Sequence, residues 1–219
     1  MAALESFAIV FAASFSIGLS GAMSPGPLTV FVMGQSARHG VIAGPLAALG
    51  HGLLEIALVV LLWLGLARIF QWEPALGAIG VIGGLVMIWM GWQIVSGVRR
   101  QGATIDVTAS ESRADNPMVG GAVLSLANPY WSFWWATVGI STMTTLALPR
   151  GATGLVAFTT GHIASDFFWF TLVALVFATG RRFITDRVYG SALYLFGAIL
   201  ALFGLYFIWY GARVFLALL

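Results

Sequence analysis

Two acidic residues lie in the middle of long apolar segments, where acidic side chains are rare. Glu55 falls near the centre of one apolar stretch and Asp166 near the centre of another. At the centre of a bilayer a charge costs roughly 2.5–3.5 kcal/mol, so such a residue usually faces a cavity or a partner. Each carboxyl group could therefore bind a cationic group or take up a proton.

A histidine precedes each acid by four residues, His51 before Glu55 and His162 before Asp166. On a helix this spacing puts the two side chains of a pair on one face. An imidazole can carry a proton near neutral pH, so each histidine could serve its acid as a proton carrier. Two other interpretations stay open. The histidine and the acid of each pair could merely neutralise each other, or all four side chains could bind a divalent metal.

The composition places these residues in a membrane protein. Hydrophobic residues make up 60% of the 219 residues and charged residues only 8%, against roughly 25% in soluble domains. A helix needs ~20 apolar residues to span a bilayer core. Six segments are long enough, at residues 5–36, 41–67, 75–97, 118–146, 152–180 and 189–216. The sequence thus predicts an all-α membrane protein with six transmembrane helices.

The first and fourth segments are interrupted near their middles, by Ser24-Pro25-Gly26-Pro27 and by Asn128-Pro129. Proline lacks a backbone donor and clashes with the preceding helical turn, so we expect both spans to break near the midplane. Ser24 and Asn128 are the predicted N-caps of the helices that follow. Their unpaired N–H groups and partial positive charge suit a substrate carboxylate. The alternative is that both breaks are kinks that improve packing.

The chain repeats itself. The Gly-His-x-x-x-acid pattern that ends at Glu55 recurs 111 residues later and ends there at Asp166. Pro25 corresponds to Pro129 with a shorter offset of 104. The predicted units are a first three-helix repeat at residues 1–98, a polar connecting loop at 99–116, and a second three-helix repeat at 117–219. Three spans is an odd number, so the second copy has inverted topology, which is typical of secondary transporters with a site between the repeats.

Aromatic residues and glycines add to this pattern. Five aromatic residues follow the second break, and we expect the first of them, Tyr130, to reach the substrate and the others to face lipid or pack: Trp131, Phe133, Trp134 and Trp135. Gly-x-x-x-Gly motifs at Gly40–Gly44 and Gly80–Gly84 allow close helix contact, either within the bundle, which we favour, or across a homodimer seam.

The placement of arginines predicts the orientation. With both termini outside, seven arginines fall on the inner side and three on the outer side, which favours N-out and C-out in the inner (plasma) membrane of the cell. The inner set is Arg38, Arg99, Arg100, Arg113, Arg181, Arg182 and Arg187, and the outer set is Arg68, Arg150 and Arg213. The chain has no cysteine for a thiol-based site and no basic stripe that would indicate nucleic acid.

Two blocks of the sequence resemble the LysE/RhtB family of amino-acid exporters. The first is Ser24-Pro25-Gly26-Pro27 followed by Arg38-His39-Gly40, and the second is Asn128-Pro129. The resemblance implies six spans, export of amino acids or small metabolites, and drive by the proton gradient. It gives the two break motifs the substrate-site role. Tyr130 stands where family members often have lysine, and His51-x-x-x-Glu55 is not typical of the best-known branch, so the substrate is left open.

We therefore expect a secondary active transporter that exports a small amino acid or related zwitterion by proton antiport with alternating access. Its expected ligands are the small-molecule substrate and protons, with no cofactor, and no residue pattern indicates an enzyme. The expected substrate site is Ser24, Pro25, Gly26, Pro27, Glu55, Asn128, Pro129, Tyr130 and Asp166. The expected proton-coupling residues are His51, Glu55, His162 and Asp166. The alternative is a divalent-cation exporter that uses these last four side chains.

Overall fold

The computed structural model describes residues 2–24, 26–66, 72–101, 116–180 and 185–217. All regular structure in these ranges is helical, and no strand occurs in them. This is the expected result for so apolar a chain, because a helix satisfies its backbone hydrogen bonds within a single segment and needs no water to do so.

The first apolar segment forms two helices, α1 (Ala2–Ala22) and α2 (Pro27–His39). Gly26 is the N-cap of α2, with an extended backbone (φ −159°, ψ 177°), and Pro27 is the first helical residue. The predicted N-cap at Ser24 is therefore wrong by two residues. Pro27 suits the first helical position because its fixed φ is already helical and its missing N–H would be unpaired there anyway. Pro25 lies outside the described residues.

Two longer helices complete the first half of the chain. A 3-10 turn at Gly40–Ile42 leads into α3 (Ala43–Leu61), which continues as a π-helical stretch at Leu62–Leu66. Helix α4 spans Glu73–Gln101, so it includes the first residues of the predicted 99–116 loop. Residues 102–115 of that loop lie outside the described part of the chain.

The fourth apolar segment begins with α5 (Pro117–Leu126) and continues in α6 (Pro129–Trp134). Asn128 caps α6, and its side chain accepts a hydrogen bond from the Tyr130 N–H at 3.1 Å, as the sequence predicted for this residue. Beyond α6 the chain stays helical in short stretches: a π-helix (Trp135–Gly139), α7 (Ile140–Thr142), a second π-helix (Met143–Ala147) and a 3-10 turn (Leu148–Arg150).

Two long helices, α8 (Gly151–Thr179) and α9 (Asp186–Ala217), end the described chain. Within the described ranges, five helical runs are long and apolar enough to cross a membrane, and α5 is a shorter apolar helix. The five runs are Leu4–Ala22, Pro27–Gly65, Glu73–Arg100, Pro129–Thr179 and Arg187–Ala217. With five to six apolar helices and no strand in its described ranges, the chain is an all-α membrane protein.

Close backbone contacts hold the helices together. Gly84 of α4 and Gly204 of α9 face each other, and a Cβ atom built on Gly204 would lie 2.6 Å from the Gly84 carbonyl oxygen. In the same way Gly44 of α3 lies against the Phe170 carbonyl of α8. Small residues allow such contacts, which strengthen van der Waals packing between helices in lipid. The glycines at 44, 80 and 84 of the two Gly-x-x-x-Gly motifs thus pack inside the bundle.

Replacing Gly84 with alanine is expected to destabilise the protein by roughly 1–3 kcal/mol. The added methyl group would meet the Gly204 carbonyl and force α4 and α9 apart. Gly97→Ala is the matched control, because it lies on the same helix and a Cβ atom there meets nothing within 4 Å. Thermal unfolding in detergent, followed by tryptophan fluorescence, compares the two variants. Equal midpoints would contradict the close α4–α9 contact.

Candidate functional site

The two histidine–acid pairs meet where α3 packs against α8. Helix α3 carries His51 and Glu55, and α8 carries His162 and Asp166. All four side chains are buried, and only 1% of the surface of each acid is exposed. The fourfold cluster that the sequence suggested is therefore present, and it lies inside the protein and not on a lipid-facing surface.

One oxygen atom, Oε1 of Glu55, is the centre of this cluster. It accepts hydrogen bonds from the indole Nε1–H groups of Trp131 at 3.3 Å and Trp135 at 3.1 Å. Nε2 of His162 lies 3.0 Å from the same oxygen, and Nε2 of His51 lies 3.1 Å from it. Four ring nitrogens, from α3, α8 and the helical run that begins at Pro129, thus surround one carboxylate oxygen.

The two indole contacts define the chemistry of that oxygen. An indole N–H can only donate, so Oε1 of Glu55 accepts from both tryptophans, and this disfavours a proton on the same oxygen. Hydrogen bonds to an ionised acceptor are short and about twice as strong as neutral ones. The site is therefore built to stabilise a negative charge on Oε1, which without such donors would cost several kcal/mol to bury.

The distances from Asp166 to the two histidines are longer than those from Glu55. Its Oδ2 lies 3.9 Å from Nε2 of both His51 and His162, beyond hydrogen-bond distance. Neither this atom nor Oε2 of Glu55 has a hydrogen-bond partner among the described residues. An oxygen of one carboxyl group lies within 4.8 Å of an oxygen of the other. Two ionised carboxylates so close repel each other, so the pair favours a proton or a ligand cation beside it.

A cavity connects the cluster to both chain interruptions. Its volume is about 50 Å³. In this conformation the space suits a few waters or a compact polar group. The predicted site residues that line it are Ser24, Gly26, His51, Glu55, Asn128, Tyr130, His162 and Asp166.

The two interruptions touch each other across the cavity. A Cβ atom built on Gly26 would lie 3.6 Å from Nδ2 of Asn128, and the Tyr130 side chain is hydrogen-bonded to Ser24. The two prolines that begin the new helices point elsewhere. Pro129 packs on Gly83 of α4, and neither Pro129 nor Pro27 lines this cavity.

Several residues of the site were missed or misjudged from the sequence. Trp131, Trp134 and Trp135 were expected to face lipid or pack, yet Trp131 and Trp135 bind Glu55 and Trp134 stacks on His162 with ring centroids 4.9 Å apart. Ser125 was not considered, although its hydroxyl lies 2.6 Å from Nδ1 of His51. The four-residue spacing of Trp131 and Trp135 on a helix was the available signal, because it puts both indoles on one face.

The divalent-metal alternative needs donors that converge on one point. Ligand atoms of His51, Glu55 and Asp166 lie within 4.8 Å of one another, but His162 is not part of that group. The most central of these atoms, Oε1 of Glu55, already accepts from two indole N–H groups, whose positive ends would face a bound cation. Three of the four side chains thus come close enough to share a cation, while the indole N–H groups at Oε1 act against one.

Sequence comparison identifies the protein family. The pattern of the family described as LysE type translocator matches residues 19–211. The chain belongs to this family. The resemblance noted at Ser24-Pro25-Gly26-Pro27 and Asn128-Pro129 is thereby confirmed.

Individual relatives agree with this assignment. A leucine efflux protein of Klebsiella pneumoniae is 28% identical over 198 residues, 87% of this chain and 87% of that protein. A leucine efflux protein of Enterobacter is 28% identical over 142 residues, 64% of this chain and 67% of that protein. An uncharacterised membrane protein of Pseudomonas aeruginosa is 33% identical over 110 residues, 48% of this chain and 50% of that protein. No solved structure matches the chain.

Family and structure together define the class of the protein. Members of a translocator family are transporters, and the five to six apolar helices make this LysE-type translocator a multi-pass membrane protein. It is a transporter and not an enzyme.

Glu55→Leu is expected to unfold at a much lower temperature than Glu55→Gln. The glutamine carbonyl can still accept from Trp131 and Trp135, whereas leucine leaves both indole N–H groups buried and unpaired. Each unpaired group costs about 1–3 kcal/mol. Thermal unfolding of the two purified variants in detergent measures the difference. A leucine variant as stable as the glutamine variant would contradict the central role of Oε1.

Proposed function

We propose that this protein is a secondary active transporter that exports a small amino acid or a related zwitterion by proton antiport with alternating access. The observation that carries the proposal is the pair of buried acids, Glu55 and Asp166, in a cavity that both chain interruptions also line. A zwitterion needs an anionic site for its ammonium group and a positive site for its carboxylate. The cavity offers groups of both kinds.

The ammonium group is assigned to the two acids. Oε2 of Glu55 and Oδ2 of Asp166 have no hydrogen-bond partner among the described residues, so both can accept from a ligand without losing an existing bond. A proton bound in the same cluster, on a carboxyl group or on a histidine beside it, neutralises the same negative charge. Competition between proton and ammonium for that charge would produce antiport, since each ligand leaves when the other binds.

The carboxylate is assigned to the helix starts. Helix α2 begins at Pro27, and the helical run that begins at Pro129 starts on the other side of the same cavity. The start of a helix carries partial positive charge, even where a capping side chain already accepts from an N–H group, as Asn128 does from Tyr130. Ser24 and Tyr130 supply hydroxyl groups between these two starts.

Apolar residues beside the cluster favour an apolar side chain on the substrate. Leu28, Trp134 and Phe170 line the cavity together with the acids. Two of the relatives that match the chain are named leucine efflux proteins. We therefore propose small aliphatic amino acids, leucine among them, as the first substrates to test.

The packing pattern supports the proposal of an inverted repeat, with residues 1–98 and 117–219 as its units, joined by 99–116. Gly50 of α3 packs on the Met118 carbonyl of α5, and Gly161, its equivalent in α8, packs on the Phe11 carbonyl of α1. An inverted repeat predicts such reciprocal contacts, because it exchanges α1 with α5 and α3 with α8. In this proposal the chain has six spans, and the first and fourth are interrupted near the midplane.

The orientation and assembly that we propose follow from the sequence. The arginine bias favours both termini outside, in the inner (plasma) membrane. A homodimer is compatible with the many large apolar side chains on the outer surface, such as Trp63, Trp89 and Trp209. Lipid covers such side chains equally well, so the transport proposal does not depend on a dimer.

Counterflow in proteoliposomes tests the transport proposal. Vesicles loaded with unlabelled leucine should take up labelled leucine, and an imposed pH gradient should drive net flux. In Glu55→Gln and in Asp166→Asn the gradient-driven flux should be lost, because the carboxyl pair no longer exchanges a proton for the ammonium group. Glu73→Gln is the matched control, since Glu73 is exposed at the start of α4. Undiminished gradient-driven flux in Glu55→Gln would refute this role.

The divalent-cation alternative has a separate test. A transported cation would bind the folded protein and raise its unfolding temperature by mass action. We expect no rise with Mn²⁺ or Zn²⁺ in the wild-type protein and exchange with at least one amino acid. A metal-dependent rise that His51→Gln abolishes, without exchange of any amino acid, would favour the cation exporter.

A further inference from the structure

The two histidines of the cluster are not equivalent, and the geometry points to different roles for them. We infer that His51 holds the exchanged proton, that Ser125 is the positioning residue for it, and that His162 stays neutral as a fixed hydrogen-bond donor. The inference deepens the proposed function and rests on it where it concerns transport. Its structural part concerns only which ring carries the proton.

The two rings have the same relation to the acids. His51 and His162 each stand four residues before an acid, and Nε2 of each lies 3.0–3.1 Å from Oε1 of Glu55. Both Nε2 atoms lie 3.9 Å from Oδ2 of Asp166. On the Nε2 side, therefore, nothing distinguishes one ring from the other. The difference lies at the opposite nitrogen, Nδ1.

Nδ1 of His51 has a partner that suits either protonation state. The Ser125 hydroxyl lies 2.6 Å from this nitrogen and also 2.6 Å from the Gly121 carbonyl oxygen. When the ring is neutral, the hydroxyl can donate to Nδ1. When the ring is charged, Nδ1–H can donate to the hydroxyl, which then turns its own hydrogen to Gly121. The ring can thus gain and lose a proton without any movement of heavy atoms.

Nδ1 of His162 has no such partner among the described residues. It is buried without a hydrogen bond to any of them, and a Cβ atom added to Gly18 would lie 2.6 Å from it. The ring lies between the aromatic rings of Trp134 and Phe158, with centroids at 4.9 Å and 6.3 Å. A proton on Nδ1 would create a buried donor with no acceptor, which is unfavourable. The aromatic faces attract a cation, but they offer no acceptor in the ring plane.

The charged groups around His51 agree with this assignment. Glu55 faces it from its own helix, Asp166 and His162 face it from α8, and Tyr130 lies on the same cavity from α6. Because His51 faces two acids, Glu55 and Asp166, and His162 is neutral, these surroundings favour a positive charge on the His51 ring. Helix α5 contributes Ser125 to the surroundings of His51, and Ser125 lies three residues before Asn128. Displacement of α5 from α3 would withdraw the hydroxyl and promote proton release, which links the proton to the conformational change.

Nitrogen NMR of the histidine rings tests the structural part. The chain has three histidines, and His39, exposed at the end of α2, supplies the third signal. In protein labelled with ¹⁵N-histidine in nanodiscs near neutral pH, we expect both nitrogens of His51 to be protonated and only Nε2 of His162. Loss of one signal set in His51→Gln or His162→Gln assigns the rings. A doubly protonated His162, or a His51 that never gains the second proton between pH 5 and 8, would overturn the inference.

Ser125→Ala tests the positioning role. Without the hydroxyl, Nδ1–H of a charged His51 has no acceptor, so the ring should show a single N–H under the same conditions. The ratio of gradient-driven flux to exchange flux should fall about tenfold or more, and Ser125→Thr should restore it. Ser36→Ala is the matched control: Ser36 is equally buried and also donates to the carbonyl four residues earlier, but it lies on α2, outside the cavity lining.

The two proposals can fail separately. If Ser125→Ala leaves both the His51 nitrogen signals and the flux ratio unchanged, the role of Ser125 is refuted while amino-acid exchange by the wild-type protein stands. If the wild-type protein exchanges no amino acid, the proposed function fails. The NMR spectra then still decide, on their own, which histidine carries the proton.

Discussion

The structure depends on the solvation of one buried carboxylate oxygen. Oε1 of Glu55 is surrounded by two indole and two imidazole nitrogens at 3.0–3.3 Å, which replace the water that the charge would have outside the membrane. Burying a carboxylate without such donors costs several kcal/mol. The donors come from α3, α8 and the helical run after Asn128, so these elements must keep their relative positions for the charge to be tolerated.

Small residues make that arrangement of helices attainable. Helices α3 and α8 approach closely at Gly44, where the Phe170 carbonyl lies against the glycine, and α3 and α5 approach at Gly50. Hydrophobic burial does not drive helices together in lipid, so close van der Waals contact and polar bonds between helices take its place. The glycines bring the backbones close, and the carboxylate cluster then determines which side chains must face each other. Oδ2 of Asp166 has no hydrogen-bond partner among the described residues, and this is the atom to which the proposed function assigns the ammonium group.

Much of the site could be predicted because its rare residues stand out against an apolar background. The sequence indicates that Glu55 and Asp166 face the protein interior, because a charge that faces lipid is costly. The N-cap at Asn128 also followed from local chemistry alone. The start of α2 was harder, because Ser24-Pro25-Gly26-Pro27 offers two prolines and two candidate caps. The choice of Gly26 depends on how the interruption packs against Asn128 and Tyr130.

By itself the sequence determined the solvent, the helical class and the presence of buried acids, because these follow from composition and from the cost of charge in hydrocarbon. It also indicated the family through its two proline motifs. Only the tertiary structure decided which nitrogen atoms reach Glu55, and that Ser125 meets His51 while His162 meets Gly18. Apart from His51–Glu55, these contacts join residues 74 to 144 positions apart in the chain. Local periodicity carries no information about such pairings, since packing between helices sets them.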